Sequence, residues 1–170
     1  MKIDIIRFKK LGTWDITSLT VYFLVSMSIL FVGLNDYEYA ERFISIYAFS
    51  TPLFLYLINY KSLRNFIVYG IWLIFSLFHI WLYFIIQNGL YFDISTEYGV
   101  DGLLYIFPFL LYFQLARIIH LSIKNTELVA PSWGGSFDIY DNRKIDLLDY
   151  LFFFFFFVIW VLIIPMTKIN

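Results

Sequence analysis

Five apolar stretches separated by short polar segments set the pattern of the chain, at residues 16–34, 43–59, 66–86, 103–123 and 150–166. At a rise of 1.5 Å per residue, a membrane-crossing helix needs about 20 apolar residues, with a range of about 17–25. All five reach that window, the second and fifth at its lower edge with 17 residues each. The expected fold is all-α, a polytopic integral membrane protein of about five transmembrane helices, with four as the alternative if the fifth does not cross fully. The fifth stretch holds six consecutive phenylalanines at 152–157, a composition that also suits a strand. Lipid decides between them, because each backbone donor and acceptor there must be satisfied within its own segment. A helix is predicted.

The basic residues give a direction. Lys2, Arg7, Lys9 and Lys10 precede the first span, Lys61 and Arg64 lie between the second and third, and Arg117, Lys124, Arg143 and Lys144 lie at or between the ends of the fourth and fifth. Only Arg42 and Lys168 fall on the other side. Basic residues accumulate on cytoplasmic loops, so the N-terminus is expected in the cytoplasm of a bacterial cell, with a multi-pass inner-membrane location. The opposite loops carry Asp36, Glu38, Glu41, Asp93, Glu97 and Asp101. Aromatic residues such as Trp14, Tyr37, Tyr60, Tyr91 and Tyr150 flank the spans, as expected of an interfacial belt. No small-residue cleavage site follows the first span, which reads as an uncleaved anchor.

Composition narrows the class. The 170 residues are 61% hydrophobic, 24% aromatic and 15% charged, against about 45–50% apolar and about 25% charged in soluble domains. A net charge of −1 offers no electrostatic footprint for nucleic acid, so no direct nucleic-acid binding is expected. Cysteine is absent, which removes disulfides, thiolate metal sites and cysteine nucleophiles. Two histidines cannot build a three-histidine metal centre. Against 21 phenylalanines and 25 isoleucines stand eight glycines and four alanines. That balance suits either an AT-rich bacterial genome or an acquired island gene. It also leaves few small residues for close helix contacts.

Outside the spans, the basic segment 1–15 scatters its apolar residues around a helical wheel, so a tail lying on anionic lipid heads is preferred to an in-plane helix. The outer loop 87–102 spaces Asp93, Glu97 and Asp101 by four, but its glycines oppose a helix and a solvated acidic loop is expected. The inner loop 124–149 is the longest polar piece. A breaker-rich stretch around Trp133 leads to two short runs, 137–140 and 143–145, which can pair as a hairpin about Asp141 and Asn142. Asp146 and Asp149 are placed to cap the fifth helix. Trp133, Phe137, Tyr140, Arg143 and Lys144 make this loop a candidate docking surface, the alternative being that the aromatics fold back on the membrane.

Chemistry inside the spans is sparse, with no Asp or Glu in any of the five. His79 lies just past the centre of the third span, either as a proton shuttle or as a neutral ring bonded to a nearby hydroxyl or carbonyl. Gln114, Arg117, His120 and Lys124 are spaced three, three and four, which puts them on one helical face. They form either a snorkelling stripe or a polar seam that binds a headgroup, Asn59 of the second span, or a partner. Gln114 lies too deep for snorkelling alone, which favours a contact inside the protein. No His-Glu-x-x-His, phosphate-binding glycine loop or Gly-x-Ser-x-Gly occurs. No catalytic, cofactor-binding or metal-binding residue is therefore expected, and the chain is not expected to be an enzyme.

In size, multi-span layout, AT-rich coding and protruding inner loop, the whole chain resembles the membrane subunit of Kiwa-type two-gene antiphage defence systems. The resemblance lies in architecture and transfers no residue roles. It implies a homo-oligomeric membrane sensor working with a cytoplasmic DNA-binding effector. The expected function is a non-enzymatic inner-membrane sensor or anchor, in contact with the lipid bilayer, that recruits a cytoplasmic protein partner. The alternatives are an oligomeric channel or pore-forming effector using His79 and the fourth-span face, and a small transporter or membrane enzyme subunit.

Overall fold

The computed structural model describes residues 6–34, 40–88, 100–131, 137–138 and 143–166. Five helices run through them: α1 (Thr13–Leu34), α2 (Ala40–Leu57), α3 (Phe66–Asn88), α4 (Ile106–Lys124) and α5 (Leu147–Met166). Three helical stretches among the described residues are long and apolar enough to cross a membrane, Thr13–Val32, Phe66–Ile86 and Asp101–Lys124. Arg42–Leu57 and Leu147–Ile159 are shorter apolar helices. Apolar side chains lie on both the surface and the interior, and the largely apolar core also takes in polar groups. Ile74, Leu77, Trp81 and Phe84 of α3 face outward, while Ser26, Thr51, Ser76, His79, Gln114, Arg117 and His120 are buried. An apolar exterior with polar side chains turned inward is compatible with a membrane protein.

The helix ends follow local chemistry. Gly12 precedes α1, and its N–H donates to Asp15 Oδ2 at 2.8 Å, one half of a capping box. α1 therefore begins three residues before its apolar run. α2 ends at Leu57, so Asn59 lies in the turn beyond it, where Oδ1 accepts the indole N–H of Trp14 at 3.0 Å. A 3-10 turn at Val100–Tyr105 leads into α4, so the fourth apolar stretch is only partly α-helical. α4 stops at Asn125, which takes φ 54° and donates its N–H to Leu121 O at 2.9 Å. Asparagine tolerates this left-handed conformation better than most residues.

Residues 6–12 are not helical. They are clamped by Asn65, whose Oδ1 accepts Lys9 N–H at 3.1 Å and whose Nδ2 donates to Lys9 O at 2.9 Å. Phe66 N–H adds a bond to Arg7 O at 2.9 Å. The basic segment is thus tied to the turn between α2 and α3. Phe137–Asp138 (β1) and Arg143–Lys144 (β2) pair antiparallel, with Phe137 opposite Lys144 and Asp138 opposite Arg143. Asp141 and Asn142, the expected turn, lie outside the described residues.

α1 packs on α2 and α3, α4 on α3, α2 and α5, and the 3-10 turn at Val100–Tyr105 on α2 and α3. The phenylalanine run divides by helical period: Phe156 is buried, Phe152, Phe153 and Phe157 are half-buried, and Phe154 and Phe155 face out. Phe156 stacks on Tyr56 of α2, with centroids 4.6 Å apart and planes 2° from parallel. Such a pair is worth about 0.5–1.5 kcal/mol beyond its buried area. Small residues matter at one contact, where a Cβ on Gly102 would stand 2.8 Å from Ala48 Cβ of α2.

Gly102→Ala is therefore expected to destabilise the protein by about 1–3 kcal/mol, as overpacking does. Gly70→Ala, where a Cβ meets nothing within 4 Å, should be neutral or stabilising by up to about 1 kcal/mol. Unfolding of the two variants in detergent micelles measures the contrast.

Candidate functional site

The fourth-helix face carries the densest polar chemistry among the described residues. Gln114, Arg117 and His120 are buried and Lys124 is exposed. Arg117 is completely buried, and the carboxylate that answers it is Glu127, ten residues further along. The left-handed turn at Asn125 brings that residue back beneath α4. The pair is bidentate: Arg117 Nε donates to Oε2 at 2.7 Å and Nη2 to Oε1 at 2.9 Å. Fork-to-fork geometry of this kind is the strong form of the ion pair. Arg117 Nη1 also donates to Gln114 Oε1 at 3.3 Å, and Gln114 Nε2 donates to Leu63 O at 2.9 Å.

Two further arginines converge on Glu127. Arg64, from the α2–α3 turn, places Nε 3.9 Å from Oε2, donates from Nη2 to Leu128 O at 2.6 Å, and lies over the Tyr60 ring at 5.2 Å. Arg7 of the N-terminal segment places Nη1 3.4 Å from Oε1. Burial alone would push the Glu127 carboxyl up. The hydrogen bonds and charge of Arg117, with the charges of Arg64 and Arg7, outweigh it and hold the carboxyl below the usual carboxylate range.

A second set adjoins the first. Asp146 and Asp149 form a reciprocal capping box: Asp149 N–H donates to Asp146 Oδ1 at 3.0 Å, and Asp146 N–H donates to Asp149 Oδ2 at 3.0 Å. Asp149, fully buried, also accepts Val129 N–H at 3.1 Å and Arg143 Nη2, which lies 2.8 Å from both carboxylate oxygens. His120 Nδ1–H donates to Thr126 O at 2.8 Å, and Nε2 faces Asp149 Oδ1 at 3.3 Å. His120, Asp146 and Asp149 bring potential metal-ligand atoms within 4.8 Å of one another. The carboxylate that a cation would need is already gripped by Arg143, so the cluster is built as an ion pair.

Arg143 thus faces inward to α5, and it also donates to Glu127 O at 2.8 Å. Lys144 is exposed. Phe137 lies on β1, while Trp133 and Tyr140 fall outside the described residues. The contacts of the fourth-helix seam include Leu63, Glu127, Thr126 and Asp149, while Asn59 Oδ1 accepts from Trp14. Glu127 had no signature in the sequence beyond an asparagine able to turn the chain back.

His79 sits in a separate buried cluster of hydroxyls. Its Nε2 meets Tyr22 Oη at 2.8 Å and Tyr47 Oη. Ser26 donates to Tyr22 O at 2.8 Å and Thr51 to Tyr47 O at 2.8 Å, so both can accept from the tyrosines. Tyr22 then donates to Thr51 Oγ1 at 3.3 Å and Tyr47 to Ser26 Oγ at 2.5 Å. With both phenol protons used, the bond at Nε2 needs the ring proton, which assigns the neutral Nε2–H tautomer. Nδ1 has no hydrogen-bond partner among the described residues.

Removing Glu127 would leave Arg117 buried without its counter-charge, and Glu127→Gln is expected to cost about 3–5 kcal/mol. Because the folded carboxyl titrates below its unfolded value, its stabilisation is complete above the ordinary carboxylate pKa of about 4.3 and is lost as pH falls through the depressed value. Unfolding in micelles between neutral and acid pH should show a smaller loss in E127Q than in the parent protein, the remainder coming from Asp149, whose carboxyl is also held below its usual range against burial by His120, backbone N–H groups and Arg143. No protein-family profile, curated protein or solved structure matches the chain, so the residues themselves carry the functional reading.

Proposed function

We propose that the chain is a non-enzymatic sensor or anchor subunit of a bacterial inner membrane, crossing about five times from a cytoplasmic N-terminus. It acts as a homo-oligomer and holds its 124–149 loop for a cytoplasmic protein partner, with antiphage defence as the setting implied by the resemblance. One observation supports this reading above the others. Glu127, at the root of the loop, is approached by arginines from the N-terminal segment, the α2–α3 turn and α4. A shift of these segments against one another has to be transmitted to the loop. A shared ionic junction of this kind couples the segments it joins.

The absence of cysteine makes a single reporter possible. A cysteine introduced by Ser136→Cys should resist a membrane-impermeant thiol reagent in intact spheroplasts and react after permeabilisation. Labelling of intact spheroplasts overturns the threading and the recruiter with it. Expression of the chain alone should leave the membrane potential unchanged, whereas depolarisation selects the pore. Co-purification of the product of an adjacent gene should be lost in Trp133→Ala/Tyr140→Ala, which spares the Arg143–Asp149 pair; retention there overturns the docking role of the loop.

A further inference from the structure

Two cavities meet at Trp14. One, of about 520 Å³, lies where the N-terminal segment crosses the α2–α3 turn and is bordered by Lys9, Lys10 and Lys61, all exposed. Asp15 on its wall is engaged by Gly12 N–H, leaving three cations to one carboxylate. The other, of about 480 Å³, continues between α1 and α2 past Val21 and Val25 on one side and Phe54 on the other. Hydroxyls on this wall do not make it polar. Ser18 donates to Asp15 O at 3.1 Å, Ser50 to Tyr47 O at 3.2 Å and Thr51 to Tyr47 O at 2.8 Å, so their protons are spent on the backbone.

The dimensions suggest the occupant. Trp14 and Val25 are eleven residues apart on one helix, about 16 Å along its axis. That is about half of a hydrocarbon core about 30 Å thick, the depth of one leaflet. The basic cavity lies at the end of α1, where headgroups are found, and the apolar groove runs inward from it. Trp14 joins the two and is held by its bond to Asn59, as an interfacial indole should be.

We propose that this composite groove binds one anionic phospholipid, its phosphate on Lys9, Lys10 and Lys61 and one acyl chain between α1 and α2. The site requires only that α1 enter a bilayer, and it stands whichever way the chain is threaded and whatever partner the loop takes.

Native mass spectrometry of the full chain, released from detergent with palmitoyl-oleoyl phosphatidylglycerol or phosphatidylcholine, tests the site. Phosphatidylglycerol should be retained roughly tenfold better or more, since each lysine near an anionic headgroup contributes about 1 kcal/mol. Lys9→Gln/Lys10→Gln/Lys61→Gln should bring it down to the phosphatidylcholine level. Val21→Trp, at an exposed position that fills the groove, should reduce retention of both lipids, with Val25→Phe as a second variant if the first alters the unfolding midpoint. Excess inorganic phosphate should not displace the lipid. Equal retention of the two lipids, an unaffected lysine variant, unaffected groove variants, or displacement by phosphate would each overturn the proposal, the last in favour of a soluble-anion pocket.

Discussion

The bond between Arg117 and Glu127 is the constraint on which the C-terminal end of α4 and the segments around it depend. A guanidinium cannot lose its proton, so an arginine with no exposed surface must be answered by a negative charge or cost several kcal/mol. The α4 sequence contains no acid. The answer comes from beyond the helix, and the chain must reverse at Asn125 to supply it. Once the carboxylate is in place, it draws Arg64 and Arg7 toward the same point. The N-terminal segment, the turn after α2 and the root of the loop therefore take their positions from one side chain.

The two buried polar clusters are built on different terms. At the helix end, charge is tolerated because several ions share each other's fields and the backbone adds further bonds. In the middle of α1, α2 and α3, the groups are neutral, and hydroxyls and one imidazole bond to one another and to the backbone. Charge is thereby gathered at the helix end, and the middle of the first three helices is left to hydroxyls and one neutral imidazole. The few small residues follow a similar economy. Gly102 lets the turn before α4 press against Ala48.

Much of the scaffold was legible in the sequence because lipid simplifies the reading: a long apolar run has to become a helix. The alignment of Gln114, Arg117 and His120 on one face followed from spacing alone, as did the capping role of Asp146 and Asp149. What could not be read was partnership across the chain. Glu127 lies in a polar stretch where any acid could be solvated, and nothing in the sequence distinguishes it from Glu97. The tyrosines that enclose His79 are 57 and 32 residues away from it, and an interfacial tyrosine looks the same as an interior one. Arg143 was legible as a charge on a loop, whereas its role as the counter-ion of a buried aspartate is a product of tertiary placement. Asn65 as the clamp of the N-terminal segment was likewise invisible, since amide side chains bond wherever the backbone brings them a donor and an acceptor.

The reciprocal cap at the start of α5 has a consequence for the loop before it. Asp149 is buried at the mouth of the last helix and is neutralised by an arginine from the loop before it, while His120 of the preceding helix stands beside it. The final helix cannot settle with that acid unanswered, and the loop has no reason to order without it. Docking of the start of α5 and ordering of Arg143 are therefore coupled, and one does not form without the other.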